Sequence, residues 1–175
     1  MVSLEEEGAE PTELEAEPET EPCYRIDLPW FDQHSRSFTL LAQARMCESC
    51  REKLGTEVEV SEPEIDKKSG KVVFRKRKAP FGSNPFVVVR DCCSKKGWYV
   101  DPEQPLLEIV FRIFLANANQ PLNVEQIRGQ MEEWLGDTVS SRDVSPERLQ
   151  RILDGDAFYG LQRVESSQQE EASAT

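Results

Sequence analysis

The sequence predicts an α+β fold, mainly α, in which a cysteine-bearing half with a small hairpin precedes a three-helix half. Three observations lead there. All five cysteines fall before residue 94, and four of them form two close pairs, Cys47/Cys50 and Cys92/Cys93. Between the pairs, two runs rich in β-branched residues flank Lys68-Ser69-Gly70, a strand–turn–strand pattern. After Pro105, apolar residues recur at spacings of three and four in three segments, each with a helix-start signal.

The formal net charge of -12 is unevenly placed. Residues 1–22 hold nine Glu and no Lys or Arg, and residues 165–175 hold three more Glu. Removing those twelve from the 33 acidic residues leaves 21, equal to the 21 Lys and Arg, so the stretch between is neutral. Both ends have too little apolar surface to offset the entropy of ordering and read as disordered acidic tails. They solvate the chain, or mimic nucleic-acid phosphate toward a basic surface. Residues 23–100 carry 15 basic and 10 acidic side chains, and residues 101–164 carry 6 and 11. That polarity, with Asp101-Pro102 between, predicts a zinc-binding α+β domain over 23–100 and a helical domain over 101–164.

No apolar run approaches the roughly 18–20 residues that span a bilayer, and Met1 to Pro22 has neither a basic nor an apolar signal region. A cytoplasmic address is expected. In that compartment cysteines point to metal or thiol chemistry before disulfides. Cys47-Glu48-Ser49-Cys50 has the two-residue gap that lets both thiolates reach one tetrahedral Zn²⁺. Cys92 and Cys93 complete a four-cysteine set, although neighbouring residues ordinarily point apart. His34 and Cys23 are the alternatives for the fourth ligand, and iron the alternative to zinc. A structural ion fits best, because a half with so few apolar residues needs a staple. A redox Cys-x-x-Cys needs a strand–helix context that does not precede Cys47, and buried metal-free thiols are the plainer option.

Around the cysteines, Pro29 to Arg45 predicts one helix with Trp30, Phe31, His34, Phe38, Leu41 and Ala42 near one face. Thr56–Val60 and Lys71–Arg75 predict the hairpin strands. Asn84-Pro85 followed by Phe86-Val87-Val88-Val89 predicts a helix ending near Lys95-Lys96-Gly97, against the β-branched run. Seven of the twelve residues from 67 to 78 are basic: Lys67, Lys68, Lys71, Arg75, Lys76, Arg77 and Lys78. On a hairpin they make either a phosphate-binding edge or a solvated edge protected from aggregation.

In the second half, Pro105 to Asn119 is apolar almost all round, the mark of a buried central helix. Asn123 and Gln126 form a capping box for the next helix. Ser145-Pro146 opens a third helix that stops at Asp154-Gly155, and Phe158–Val164 is a strand. Three helices then a strand resembles a winged-helix module. The resemblance implies a recognition helix over Ser145–Asp154, with Arg142, Arg148 and Arg151 facing DNA. No second wing strand follows Val164, and this half is acidic, so docking of a protein partner is the better fit. The whole chain also resembles an uncharacterised bacterial family that pairs a Cys-x2-Cys…Cys-Cys site with a helical C-terminal unit.

No Gly-x-x-x-x-Gly-Lys loop and no Gly-x-Ser-x-Gly elbow occurs, and nothing beside His34 marks it as an activated base. The sequence therefore predicts no enzyme, but a small zinc-binding adaptor or regulator acting through protein contact. The alternative is a nucleic-acid-binding transcriptional regulator using residues 67–78 and the third C-terminal helix.

Overall fold

The apolar helix foreseen after Pro105 is the centre of the fold. The computed structural model describes residues 21–141 and 144–164; residues 1–20 and 165–175 of the acidic tails, and Arg142, lie outside them. In chain order the elements are β1 (Cys23–Ile26), α1 (Leu28–Gln33), α2 (Phe38–Gln43), α3 (Glu48–Arg51), β2 (Glu57–Ile65) and β3 (Val72–Pro80). Then follow α4 (Pro85–Asp91), a 3-10 turn (Cys93–Lys95), α5 (Leu106–Ala116), β4 (Leu122–Asn123) and α6 (Val124–Leu135). A second 3-10 segment, α7 (Pro146–Asp154) and β5 (Leu161–Val164) complete an α+β architecture.

α5 buries Ile109, Val110, Phe111, Ile113, Phe114 and Leu115, and so turns apolar surface inward on every side. One core runs through both halves of the chain. Tyr24, Phe31, Ala42, Cys50 and Val89 join Phe111, Ile127 and Leu149 in it, so the boundary drawn at Asp101 does not part the core. The first strand explains this. β1 is the middle strand of an antiparallel sheet of order β4-β1-β5, with Tyr24 opposite Leu122 on one side and Arg163 on the other. The described residues thus hold a third strand in this sheet, drawn from the N-terminal side.

Two polar devices hold β1. The Asn119 side chain accepts the Ile26 N–H at 2.8 Å and donates to the Ile26 carbonyl at 2.9 Å. Tyr24 is fully buried and its hydroxyl donates to Asp154 Oδ1 at 2.8 Å, where Arg163 Nε also donates at 2.7 Å. The buried Asp156 carboxylate gathers the N–H groups of Phe158, Tyr159 and Leu161. That turn delays the last strand, so β5 begins at Leu161, later than the Phe158 start in the sequence reading.

The single helix expected over Pro29–Arg45 is two. Ser35 adopts φ 52°, and the Ser37 side chain caps α2 by accepting from the Leu40 N–H at 3.2 Å. Serine competes for backbone groups where a helix would otherwise continue. The bend brings Phe38 edge-on to Phe31, with centroids 5.5 Å apart. The helix over Pro85–Asp91 forms despite its valines, and the Asn123/Gln126 capping box is present. The hairpin is longer than its sequence signal. β2 and β3 have nine residues each and pair from Glu57 with Pro80 to Ile65 with Val72.

Gly160 joins the sheet to α1. It has φ +66°, and a Cβ there would lie 2.6 Å from Phe31 Cε2. Gly160→Ala is expected to lower stability by at least about 1–3 kcal/mol, the cost of left-handed backbone at a non-glycine residue. A urea unfolding curve checks this: the midpoint should fall with the slope unchanged.

Candidate metal centre

The four cysteines come from two short elements that the hairpin separates. Cys47 stands at the N-terminal cap of α3, and its carbonyl accepts the Cys50 N–H at 3.0 Å. This single turn of helix places both thiols on one side. Cys92 follows α4 with φ −129° and ψ −63°, a break that starts the 3-10 turn at Cys93. The break answers the objection that adjacent cysteines point apart, because the backbone changes direction between them.

The sulfurs of Cys47, Cys50, Cys92 and Cys93 all lie within 4.8 Å of one another. Cys47 Sγ is 3.6 Å from Cys93 Sγ and 3.9 Å from Cys92 Sγ. A regular tetrahedron of 2.3 Å zinc–sulfur bonds has edges of about 3.8 Å. The donor set therefore fits a four-coordinate, thiophilic ion, and the four residues can hold one. Cys47, Cys50 and Cys93 are buried and Cys92 is half-buried.

The thiols are electrostatically unequal. Burial pushes the Cys47 thiol up, but donors from the Ser49 hydroxyl, the Cys50 N–H and the neighbouring thiols outweigh it and bring it to about 6. Burial, followed by the adjacent sulfurs, pushes Cys50 up, and burial raises Cys93. The cluster thus favours a thiolate at Cys47 and neutral thiols at Cys50 and Cys93. A divalent ion would supply the charge that lets all four ionise.

Neither alternative ligand belongs to the group. His34 stacks on Trp30 at 4.1 Å, with Nδ1 2.7 Å from the Trp30 carbonyl oxygen. Cys23 lies on β1, with Sγ 3.9 Å from the Glu21 carbonyl oxygen. The seven basic residues at 67–78 lie on the β2–β3 hairpin and its turn, and none belongs to the cysteine group. No family model, curated protein or solved structure matches this chain.

The sequence reading missed a buried ionic network beside the cysteines. Glu108 of α5 accepts from Arg45 Nε at 2.9 Å and Arg45 Nη2 at 2.7 Å, from Arg112 Nε at 2.7 Å, and from the Tyr159 hydroxyl at 2.9 Å. Arg45 precedes Cys47 by two residues, and its guanidinium lies 5.2 Å from the Phe111 ring centre. Arg112 also donates to the Tyr99 carbonyl at 2.9 Å. One signal was present: Glu108 and Arg112 are an i, i+4 pair inside an otherwise apolar helix, where charges need partners.

Burial raises the Glu108 carboxyl, but Arg45 and Arg112 outweigh it and hold it below the ordinary range. Because its folded value is the lower one, the stabilisation is complete above the unfolded value of about 4.3 and is lost as pH falls through the folded value. Glu108→Gln leaves two buried guanidiniums without a counter-charge and is expected to cost about 3–5 kcal/mol at neutral pH. Its acid unfolding profile should also be flatter than that of the parent. Chemical denaturation across a pH series measures both.

Proposed function

We propose that this protein is a small zinc-binding adaptor or regulator, in which Cys47, Cys50, Cys92 and Cys93 hold one structural Zn²⁺ and the fold works by contact with a protein partner. One observation carries the zinc: four sulfurs from both sides of the hairpin converge within 4.8 Å. A structural role follows from the donor set. Four protein thiolates fill a tetrahedron and leave no open position for water or substrate, unlike the three-ligand sites of zinc hydrolases. A cytoplasmic setting suits a cluster that works as thiolates.

The contact reading draws on the second half. Its described residues follow the order helix, strand, helix, helix, strand, and β1 takes the sheet position that a second wing strand would occupy. That supports a winged-helix-like unit, and its acidic balance favours a protein partner over DNA. Exposed Leu40 and Phe158 border a shallow apolar basin with Phe31 and Leu41, the kind of surface that partner contacts use. Membership of the uncharacterised bacterial family with the same cysteine pattern belongs to this proposal.

Elemental analysis of protein purified without added metal tests the centre. The expected result is near one zinc per chain, lost in Cys47→Ser and in Cys93→Ser together with cooperative unfolding. Iron in its place, or metal-free protein whose Cys47 and Cys50 form a reversible disulfide, would overturn the reading.

A further inference from the structure

The β2–β3 hairpin has two chemically different faces, and its register assigns each residue to one of them. Cross-strand partners share a face, and successive residues alternate. Glu62 and Glu64 therefore lie with Arg75 and Arg77, in diagonal ion pairs of 2.7 Å for Arg77–Glu62 and 2.9 Å for Arg75–Glu64. Lys76 and Lys78 lie on the other face, opposite Ser61 and Glu59. The same face carries Phe74 opposite Pro63 and Val72 opposite Ile65. These side chains are strongly exposed: 73% for Phe74, 66% for Ile65 and 59% for Val72.

Beyond this apolar platform comes the turn with Lys67, Lys68 and Lys71, fixed by Asp66, whose carboxylate accepts from the Ser69 hydroxyl at 2.8 Å. None of Lys67, Lys68, Lys71, Lys76 and Lys78 joins an ion pair among the described residues. The platform is thus flanked at both ends by lysines that form no ion pair among the described residues, with Glu59 facing Lys78 and Glu57 next on the same face, while the arginines of the same basic run are neutralised on the opposite face.

We propose that the Phe74 face of this hairpin binds single-stranded nucleic acid. An exposed aromatic ring offers a stacking surface for an unpaired base, and lysines on either side supply the phosphate contacts that such sites combine with it. From Lys71 to Lys78 the strand covers about 23 Å at about 3.3 Å per residue, room for the roughly four nucleotides of the smallest single-strand sites. A bilayer is the poorer fit, because the charged turn projects past the apolar side chains and would have to enter first. An acidic peptide would satisfy the lysines but has no use for an exposed ring among them. The inference is independent of the metal reading, since these residues are separate from the cluster.

The test uses full-length protein and a fluorescent oligothymidylate, followed by anisotropy over a salt series. Duplex DNA, a polyglutamate peptide and phosphatidylserine vesicles are the competitors. Phe74→Ala should weaken oligothymidylate binding by about 5- to 150-fold, the range for loss of one stacked base. Lys76→Ala with Lys78→Ala should reduce the slope of log affinity against log salt by about 0.7 per lysine that contacts phosphate. Arg75→Ala with Arg77→Ala, on the opposite face, should change affinity less than any of these. Unchanged metal content and thermal midpoint confirm that each variant is folded. Failure to bind oligothymidylate overturns the proposal, as does indifference to Phe74→Ala. Stronger binding of the duplex, the acidic peptide or the vesicles overturns it too.

Discussion

The meeting of four sulfurs at one point governs how the first half of this chain can fold. Between Cys50 and Cys92 lies a hairpin whose strands, among the described residues, pair only with each other, and whose outer part faces solvent. Such an excursion adds little apolar burial and still carries the entropy of ordering its backbone. Closing it at the base limits the unfolded ensemble, and the benefit of a cross-link grows with the logarithm of the loop it closes. With the proposed ion bound, two cysteines before the hairpin and two after it would make that closure. The chain then continues on both sides into the same core, where Cys50 and Cys93 are themselves buried members.

A second constraint ties this closure to the helices. Glu108 sits in the middle helix and is held by Arg45 from the cysteine segment, Arg112 from its own helix and Tyr159 from the turn before β5. Three parts of the chain thus share one carboxylate. Buried charges persist only with well-placed partners, since each has lost its water. One carboxylate for two guanidiniums leaves an excess positive charge at the network. A divalent ion held by four thiolates, as proposed for the cysteines, would carry the opposite excess. Tyr99 lies against the network, with Arg112 stacked 5.2 Å over its ring, and burial pushes its phenol well above the ordinary range. With the proposed ion bound, the two sites would be complementary in sign as well as adjacent in sequence.

How much could be read from the residues alone depended on the range of the interaction. Local signals held: the Asn123/Gln126 box, Pro85 and Pro146 at helix starts, and the turn at Lys68-Ser69-Gly70 all depend on a few neighbouring residues. The cysteine set was legible because thiol spacing is itself a motif. What escaped was long-range. Nothing in Cys23–Ile26 announces that it will lie between strands formed near residues 122 and 161, and its short run looks like linker until those partners are known. The break at Ser35 was hidden for a different reason. The apolar stripe continues through it, because the bend keeps Phe31 and Phe38 in contact.

The basic segment shows the same limit in one strand. Read linearly, Arg75-Lys76-Arg77-Lys78 is a single block of charge. A strand sends alternate residues to opposite faces, so the block is two pairs with different surroundings. The arginines meet Glu62 and Glu64, which share their two-residue spacing on the facing strand. Arginine suits that role, since its planar fork matches carboxylates, whereas lysine remains a compact hydrated charge. The alternation of Arg with Lys therefore follows the pleat of the hairpin. It pairs the arginines on one face and leaves Lys76 and Lys78 without ion pairs on the other, beside an exposed phenylalanine. Exposed ion pairs of this kind add little stability, so their clearest consequence is where they leave the free charge.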